Sequence, residues 1–336
     1  MGGSRLGTSL IIPANMPLQL THTFDSHVEV SRGGQVLFRY VYEPRTDPFE
    51  TPKPYFHPVH TLAGNRVTNF RPRDHLWHYG IAMTFAHVSA AGKERDSEHG
   101  GHGEAQNFWG GNSYIHGQGY QRLPHLVGRQ QHRAWHTMRC DDSGVFLEHQ
   151  ITWSTFQGDA WFDETRSVAV PQVEPASGFW TLDLATSLRN VAGAPLSIGS
   201  PTTAGRPLAG YGGLMWRGPR SFLKGAILAS GDLDGPEVMG QRAPWLAYVG
   251  KHDGTDGNSA AASSQVNQST VVFIDQPANP RYPTQWFVRN DPFAAASFAV
   301  TFDEDIVVQP EESLTLRYRI LFADGAWTRE QIEHVA

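Results

Sequence analysis

The chain has 336 residues, of which 40% are hydrophobic and only 18% charged, with 34 Gly and 22 Pro. That balance fits a globular protein rich in strands and turns, and it excludes a disordered chain or a coiled coil. A net charge of −6 without any Lys/Arg-rich run argues against nucleic acid as a partner, because a polyanion wants a basic surface.

The predicted elements follow in chain order. The first 20 residues carry no secretory-type apolar run and read as a flexible segment, and no later stretch is apolar enough to span a bilayer. A soluble cytoplasmic protein without a membrane partner is therefore expected. Residues 27–42 alternate as a hairpin turning at Gly33-Gly34, with Val36, Phe38, Tyr40 and Tyr42 on one face. Residues 90–106 form a long polar loop. The single cysteine, Cys140, sits in a polar turn and excludes both an intrachain disulfide and a Cys-based zinc site. Strands follow at 145–154, with Leu147, His149, Ile151 and Trp153 sharing a face, and at 179–191, with Trp180, Leu182, Leu184, Thr186 and Leu188 aligned. Residues 250–268 read as a mobile loop or insertion, 269–277 as a continuously apolar central strand, and 313–322 as an alternating strand. Thr328 and Gln331 form a T-x-x-Q capping box for one short C-terminal helix. Strands joined by Gly/Pro/Asn/Asp turns without intervening helices predict a large antiparallel two-sheet sandwich occupying residues 1–336 as one domain.

Twelve of the 16 histidines lie between His57 and His149. His57, His60, Asp74, His75 and His78 fall within 22 residues beside Pro58, Gly64, Pro72 and Gly80. A histidine beside a carboxylate is a common proton-transfer pair near neutral pH. On an extended strand His75 and His78 would point to opposite faces, so they converge only if the backbone turns after Pro72. The same imidazoles are also candidate ligands: His57, His75 and His78 would be the set if a divalent metal is bound, although no H-E-x-x-H is present. Alternatively, each donates to a carbonyl at a strand end. The stretch "NFWGG" places Asn107 and Trp109 beside flexible backbone, an aromatic face and an amide of the kind that binds sugars. "DQPANPRYPTQWFVR" places Arg281, Trp286 and Arg289 in a proline-restricted segment suited to an anionic or polyhydroxylated ligand, or to an ion-pair lattice. Glu148, Glu164 and Asp183 lie on strands and would serve as a general base only if they face a cleft.

The segments "PYFHPVHTLAGNRVTNFRPRDHLWHYGIAM", "NFWGG", "APWLAYVG", "FIDQPANPRYPTQWFVR" and "ESLTLRYRILFADG" resemble the PmoA-like family, a bacterial domain of unknown function. The resemblance runs from about residue 28 to 333 and implies a galactose-mutarotase-like sandwich and a link to carbohydrate catabolism. Leu76 and Trp77 stand where that family more often has Pro-His, and Gln276 where it often has His. The methane-oxygenase label attached to some relatives does not carry over, since those subunits are membrane proteins.

The expected function is a carbohydrate-processing enzyme of epimerase, isomerase or lyase type. His75 and His78 would be acid and base, Asp74 would orient one of them and His57 would assist. Asn107, Trp109, Arg281, Trp286 and Arg289 would bind a small-molecule carbohydrate. The alternatives are a non-catalytic carbohydrate-binding protein and a metal-dependent oxygenase or hydrolase. No cofactor is expected beyond a possible divalent metal, and a homo-oligomer is possible.

Overall fold

The computed structural model describes residues 16–90, 105–253 and 267–336. The expected loops at 90–106 and 250–268 therefore lie almost wholly outside the described residues, as does most of the N-terminal segment. Its last residues, from Leu18 on, begin the edge strand Leu18–Thr23.

Two antiparallel sheets account for most of the chain. The first has eight strands, running from Leu18–Thr23 through His27–Arg32, Gln35–Val41, Tyr55–Val59, Ile81–Phe85, Gly212–Arg217 and Ala295–Phe298 to Trp286–Arg289. The second has nine, and its centre is built from Gln268–Asp275, Ser313–Asp324, Phe179–Asn190, Ala160–Val170 and Gly144–Ser154. One core fills the space between them. Phe38 of the first sheet stacks on Trp180 of the second at 5.8 Å, Trp216 meets Tyr248 at 5.0 Å, and Phe298 meets Tyr318 at 4.2 Å. Each large side chain buried here contributes about 1.5–3 kcal/mol. The expected sandwich is the observed fold. The hairpin carries one irregularity, a register shift that brings Leu37 into the core beside Phe38. The T-x-x-Q box caps the short helix Arg329–Glu333 as expected. No helix among the described residues is long and apolar enough to cross a membrane.

The first sheet is buried on both faces at one end, and this creates the candidate site. In Gly212–Arg217 every residue is buried. Leu214 and Trp216 enter the inter-sheet core, so the pleat sends Met215 and Arg217 to the outer face. In Trp286–Arg289, Trp286 and Val288 likewise point inward while Phe287 and Arg289 point out. Over that outer face lie three connecting segments, around residues 71–80, 105–121 and 200–211, the second of which ends in a small hairpin.

Candidate active site

The outer face of the first sheet and its covering segments enclose a cavity of about 340 Å³, within the roughly 300–1,000 Å³ of small-molecule sites. His75, His78, Trp109 and Arg289 line it, together with residues not singled out from the sequence, chiefly Trp77, Tyr120, Arg206, Tyr211 and Phe293. Two other hollows, of about 440 and 500 Å³, have no histidine in their walls among the described residues.

Two consecutive turns make the histidine pair. The amide of His75 donates to Pro72 O (3.0 Å) and that of His78 to His75 O (3.1 Å), while Arg71 N closes the loop onto His78 O (3.0 Å). The two rings come to lie nearly parallel, 4.5 Å apart with 13° between their planes. His75 Nδ1 lies 2.9 Å from Asp74 Oδ2, which also accepts from Arg217 Nη2 at 2.7 Å. The other arm of Arg217 donates to His78 Nδ1 at 3.0 Å. Partial burial opposes ionisation of Asp74, but hydrogen bonds from Arg217 and His75 outweigh it and hold the carboxyl below its usual range. Asp74 is therefore an acceptor, and His75 carries its proton on Nδ1. A guanidinium only donates, so His78 Nδ1 accepts and its proton sits on Nε2. Burial lowers the pKa of both imidazoles; Asp74 partly offsets this for His75, whereas His75, Arg217 and Lys53 push His78 down further. The pair is neutral at pH 7 and presents one Nε2 lone pair and one Nε2–H.

The walls are held by groups that sequence reasoning passed over. Lys53 is fully buried, and its ammonium donates to the carbonyls of Glu50 (3.0 Å), Thr51 (3.1 Å), Trp77 (3.2 Å) and Trp109 (3.0 Å), with the Tyr79 ring 4.3 Å away. Burial lowers its pKa to about 7, while the nearby Glu50 carboxylate favours the charged form. Glu50 itself accepts from Arg71 and from Tyr79 Oη. Asn107 sets the "NFWGG" turn. Its Oδ1 accepts from the amides of Trp109 and Gly110, both at 2.9 Å. Gly111 is required there at φ +72°, because a Cβ would sit 2.4 Å from the Trp77 ring. Trp109 then packs edge-on against His78 (5.6 Å) and against Tyr211 (4.5 Å). Tyr211 Oη meets Tyr120 Oη at 2.9 Å, and Arg206 donates to Tyr120.

Five expectations need correction. His57 does not join the pair: its Nδ1 bonds Thr68 Oγ1 at 2.9 Å, its ring stacks on Phe70 at 5.5 Å, and burial drives its pKa down to about 3. His57, His75 and His78 therefore form no metal set, and no three His, Cys, Asp or Glu side chains group as metal ligands among the described residues. Asn107 is buried and shapes the wall without lining the cavity. Arg281 turns away to the carbonyls of Val300 (3.1 Å) and Asp305 (2.8 Å). Trp286 is wholly buried, with Nε1 on Ala243 O at 2.9 Å; it is core, because a strand sends residues 286 and 289 to opposite faces. Of the acidic residues on strands, Glu164 lies inside the sandwich. It is bonded to Arg166, Trp153 Nε1 (2.7 Å) and Thr186 Oγ1 (2.6 Å). Asp183 is paired at the surface with Arg319.

The family described as "Family of unknown function (DUF6807)" matches residues 27–336. The chain belongs to that family. The resemblance to a PmoA-like family is thereby overturned: the match that spans all the motifs behind it is to DUF6807, and nothing supports the other assignment. No curated protein matches the chain. Among solved structures, the heparan sulfate lyase HepC of Pedobacter heparinus is similar over 97% of this chain at 8% identity and TM-score 0.37. This chain spans only 38% of that lyase's length. Galactose 1-epimerase from Lactobacillus acidophilus NCFM is similar over 93% of this chain and 100% of its own, at 7% identity and TM-score 0.38.

Proposed function

We propose that this DUF6807 protein is an enzyme performing acid–base chemistry on a sugar or keto-sugar in the cavity between His75 and Arg289. The observation that carries the reading is a pair of stacked imidazoles whose Nδ1 atoms face unlike partners, the Asp74 carboxylate and the Arg217 guanidinium. His75 Nε2 takes a proton from carbon, and Asp74 stabilises the imidazolium that forms. His78 Nε2–H, held by Arg217, donates to the oxygen on which negative charge develops. A general acid or base placed in this way is worth about 10²–10⁴ in rate. Both rings belong to one loop and stack side by side, so they address one face of a bound molecule. That arrangement suits isomerisation or elimination at adjacent atoms better than inversion by two bases on opposite faces. The aromatic walls from Trp77, Trp109, Tyr211 and Phe293 supply surfaces for the C–H faces of a sugar ring.

The test is proton exchange in D2O with a panel of aldoses, ketoses and sugar acids, followed by NMR. Deuterium incorporation or conversion that is lost in His75→Gln and His78→Gln supports the assignment; full turnover in both variants removes it. The abundance of aromatic surface also supports a second reading, a sugar-binding protein without chemistry, for which calorimetry would register binding of a sugar that NMR finds unchanged.

A further inference from the structure

Among the described residues no carboxylate lines the cavity, and the permanently charged wall residues are Arg206 and Arg289. Neither guanidinium has an ion-pair partner among the described residues, in contrast to Arg71, Arg166, Arg217 and Arg319, each of which holds a carboxylate. Arg206 lies over the Tyr120 ring (4.8 Å) and donates to its hydroxyl. Arg289 lies over the Phe287 ring (5.0 Å), and its one hydrogen bond is a long contact of 3.5 Å to Leu208 O. Two cations facing one hollow repel each other: burial, and then the charge of Arg206, lower the pKa of Arg289. In a protein of net charge −6 such a pair costs stability unless something negative enters between the cations. Guanidinia resting on aromatic rings are pre-oriented forks for a planar or tetrahedral oxyanion.

The two cations approach the cavity from different sides: Arg289 lies across Ala295 from Arg217, the partner of His78, and Arg206 is reached along the aromatic wall. Contacts pass from His78 to Trp109, from Trp109 to Tyr211, from Tyr211 to Tyr120 and from Tyr120 to Arg206. A molecule whose anion meets the arginines would thus share one cavity with Trp109, Tyr211 and the histidines. We propose that the cavity takes an anionic monosaccharide, with its carboxylate or phosphate held by Arg206 and Arg289. This inference rests on the sugar reading of the same cavity and specifies its substrate class.

Calorimetry with the full-length protein tests it, using hexuronates and hexose 6-phosphates against the matching neutral hexoses, with acetate and inorganic phosphate as bare anions. At least one anionic sugar is expected to bind ten-fold or more tightly than its neutral counterpart. That preference should shrink as salt is raised and disappear in Arg206→Gln and Arg289→Gln, with thermal melts verifying that each variant is folded. A preference for uronates identifies the anchor as a carboxylate; a preference for 6-phosphates identifies it as a phosphate. If neutral hexoses bind as tightly as both anionic series, or if the preference survives in both variants, the anion inference is overturned while the sugar reading stands. If acetate or phosphate binds as tightly as the corresponding sugar and the arginine variants abolish that binding, the anion site stands and the sugar reading falls.

Discussion

His75 and His78 stack 4.5 Å apart, yet a carboxylate faces Nδ1 of the first and a guanidinium faces Nδ1 of the second. Two like side chains thereby become an unlike pair. Ring 15N shifts should show His75 as the Nδ1–H tautomer and His78 as the Nε2–H tautomer. Asp74→Asn should lower the His75 pKa further, because it removes the charge that raises it. Turnover should then fall by on the order of 10²–10⁴. Identical tautomers for the two rings would contradict the acid–base division.

Several histidines are held neutral by burial, and this gives stability a definite pH dependence. The pKa of His132 is lowered to about 4 and that of His57 to about 3, and His78 and His149 are also depressed. Below the ordinary histidine value of 6.5 the unfolded chain binds protons that the folded chain refuses, so stability falls as pH drops. The loss begins near 6.5 and continues through the folded values. Urea midpoints should decline already between pH 6.5 and about 5, above the carboxylate range, and His132→Gln should flatten that decline. A level profile there would refute the argument.

Lys53→Met keeps much of the side chain's volume but leaves the four carbonyl acceptors of the ammonium without a donor. A loss on the order of 3 kcal/mol or more is expected, readable from denaturant midpoints. The residual folded protein should bind sugars weakly, because both Trp77 and Trp109 lose their anchor.

Glu164 and Arg166 form a fully buried ion pair from which hydrogen bonds continue through Tyr40 and His149 to His132. Breaking it from one side, as in Arg166→Met, should cost about 3–5 kcal/mol. Because the pair lies outside the cavity, Glu164→Gln should reduce stability while the folded fraction keeps its kcat. A kcat loss in that variant beyond the folded fraction would reinstate Glu164 as a catalytic candidate.

Trp109 and Trp286 separate wall from core. Trp286→Ala should cost about 3–5 kcal/mol without a selective effect on ligand affinity, whereas Trp109→Phe should weaken sugar binding with a smaller change in the thermal midpoint. The comparison requires only calorimetry and thermal melts.

Much of the sandwich was legible because its signal is local. Leu147, Ile151 and Trp153 alternate with polar neighbours, and all three are fully buried. The site was legible only in part. The turns that Pro72 introduces do bring His75 and His78 together, but their partner Arg217 lies about 140 residues away within "GLMWRG", where nothing marks it as more than a strand residue. Lys53, between two prolines, likewise gives no one-dimensional sign of its four acceptors. Trp286 and Arg289 were grouped by proximity, although their odd separation on a strand already sends them to opposite faces. Arg206 lay in a segment with no motif, and only the folded chain shows that it has no ion-pair partner among the described residues.

The Lys53 ammonium touches both the loop that ends at Trp77 and the loop that carries Trp109. These two walls are therefore joined through one side chain. Arg206, in turn, donates to Tyr120 on the small hairpin of Ser113–Ile115 and Gly119–Gln121, which ties a third covering segment to the second. One buried cation, Lys53, thus sets the spacing between the wall that carries the histidine pair and the wall that carries Trp109.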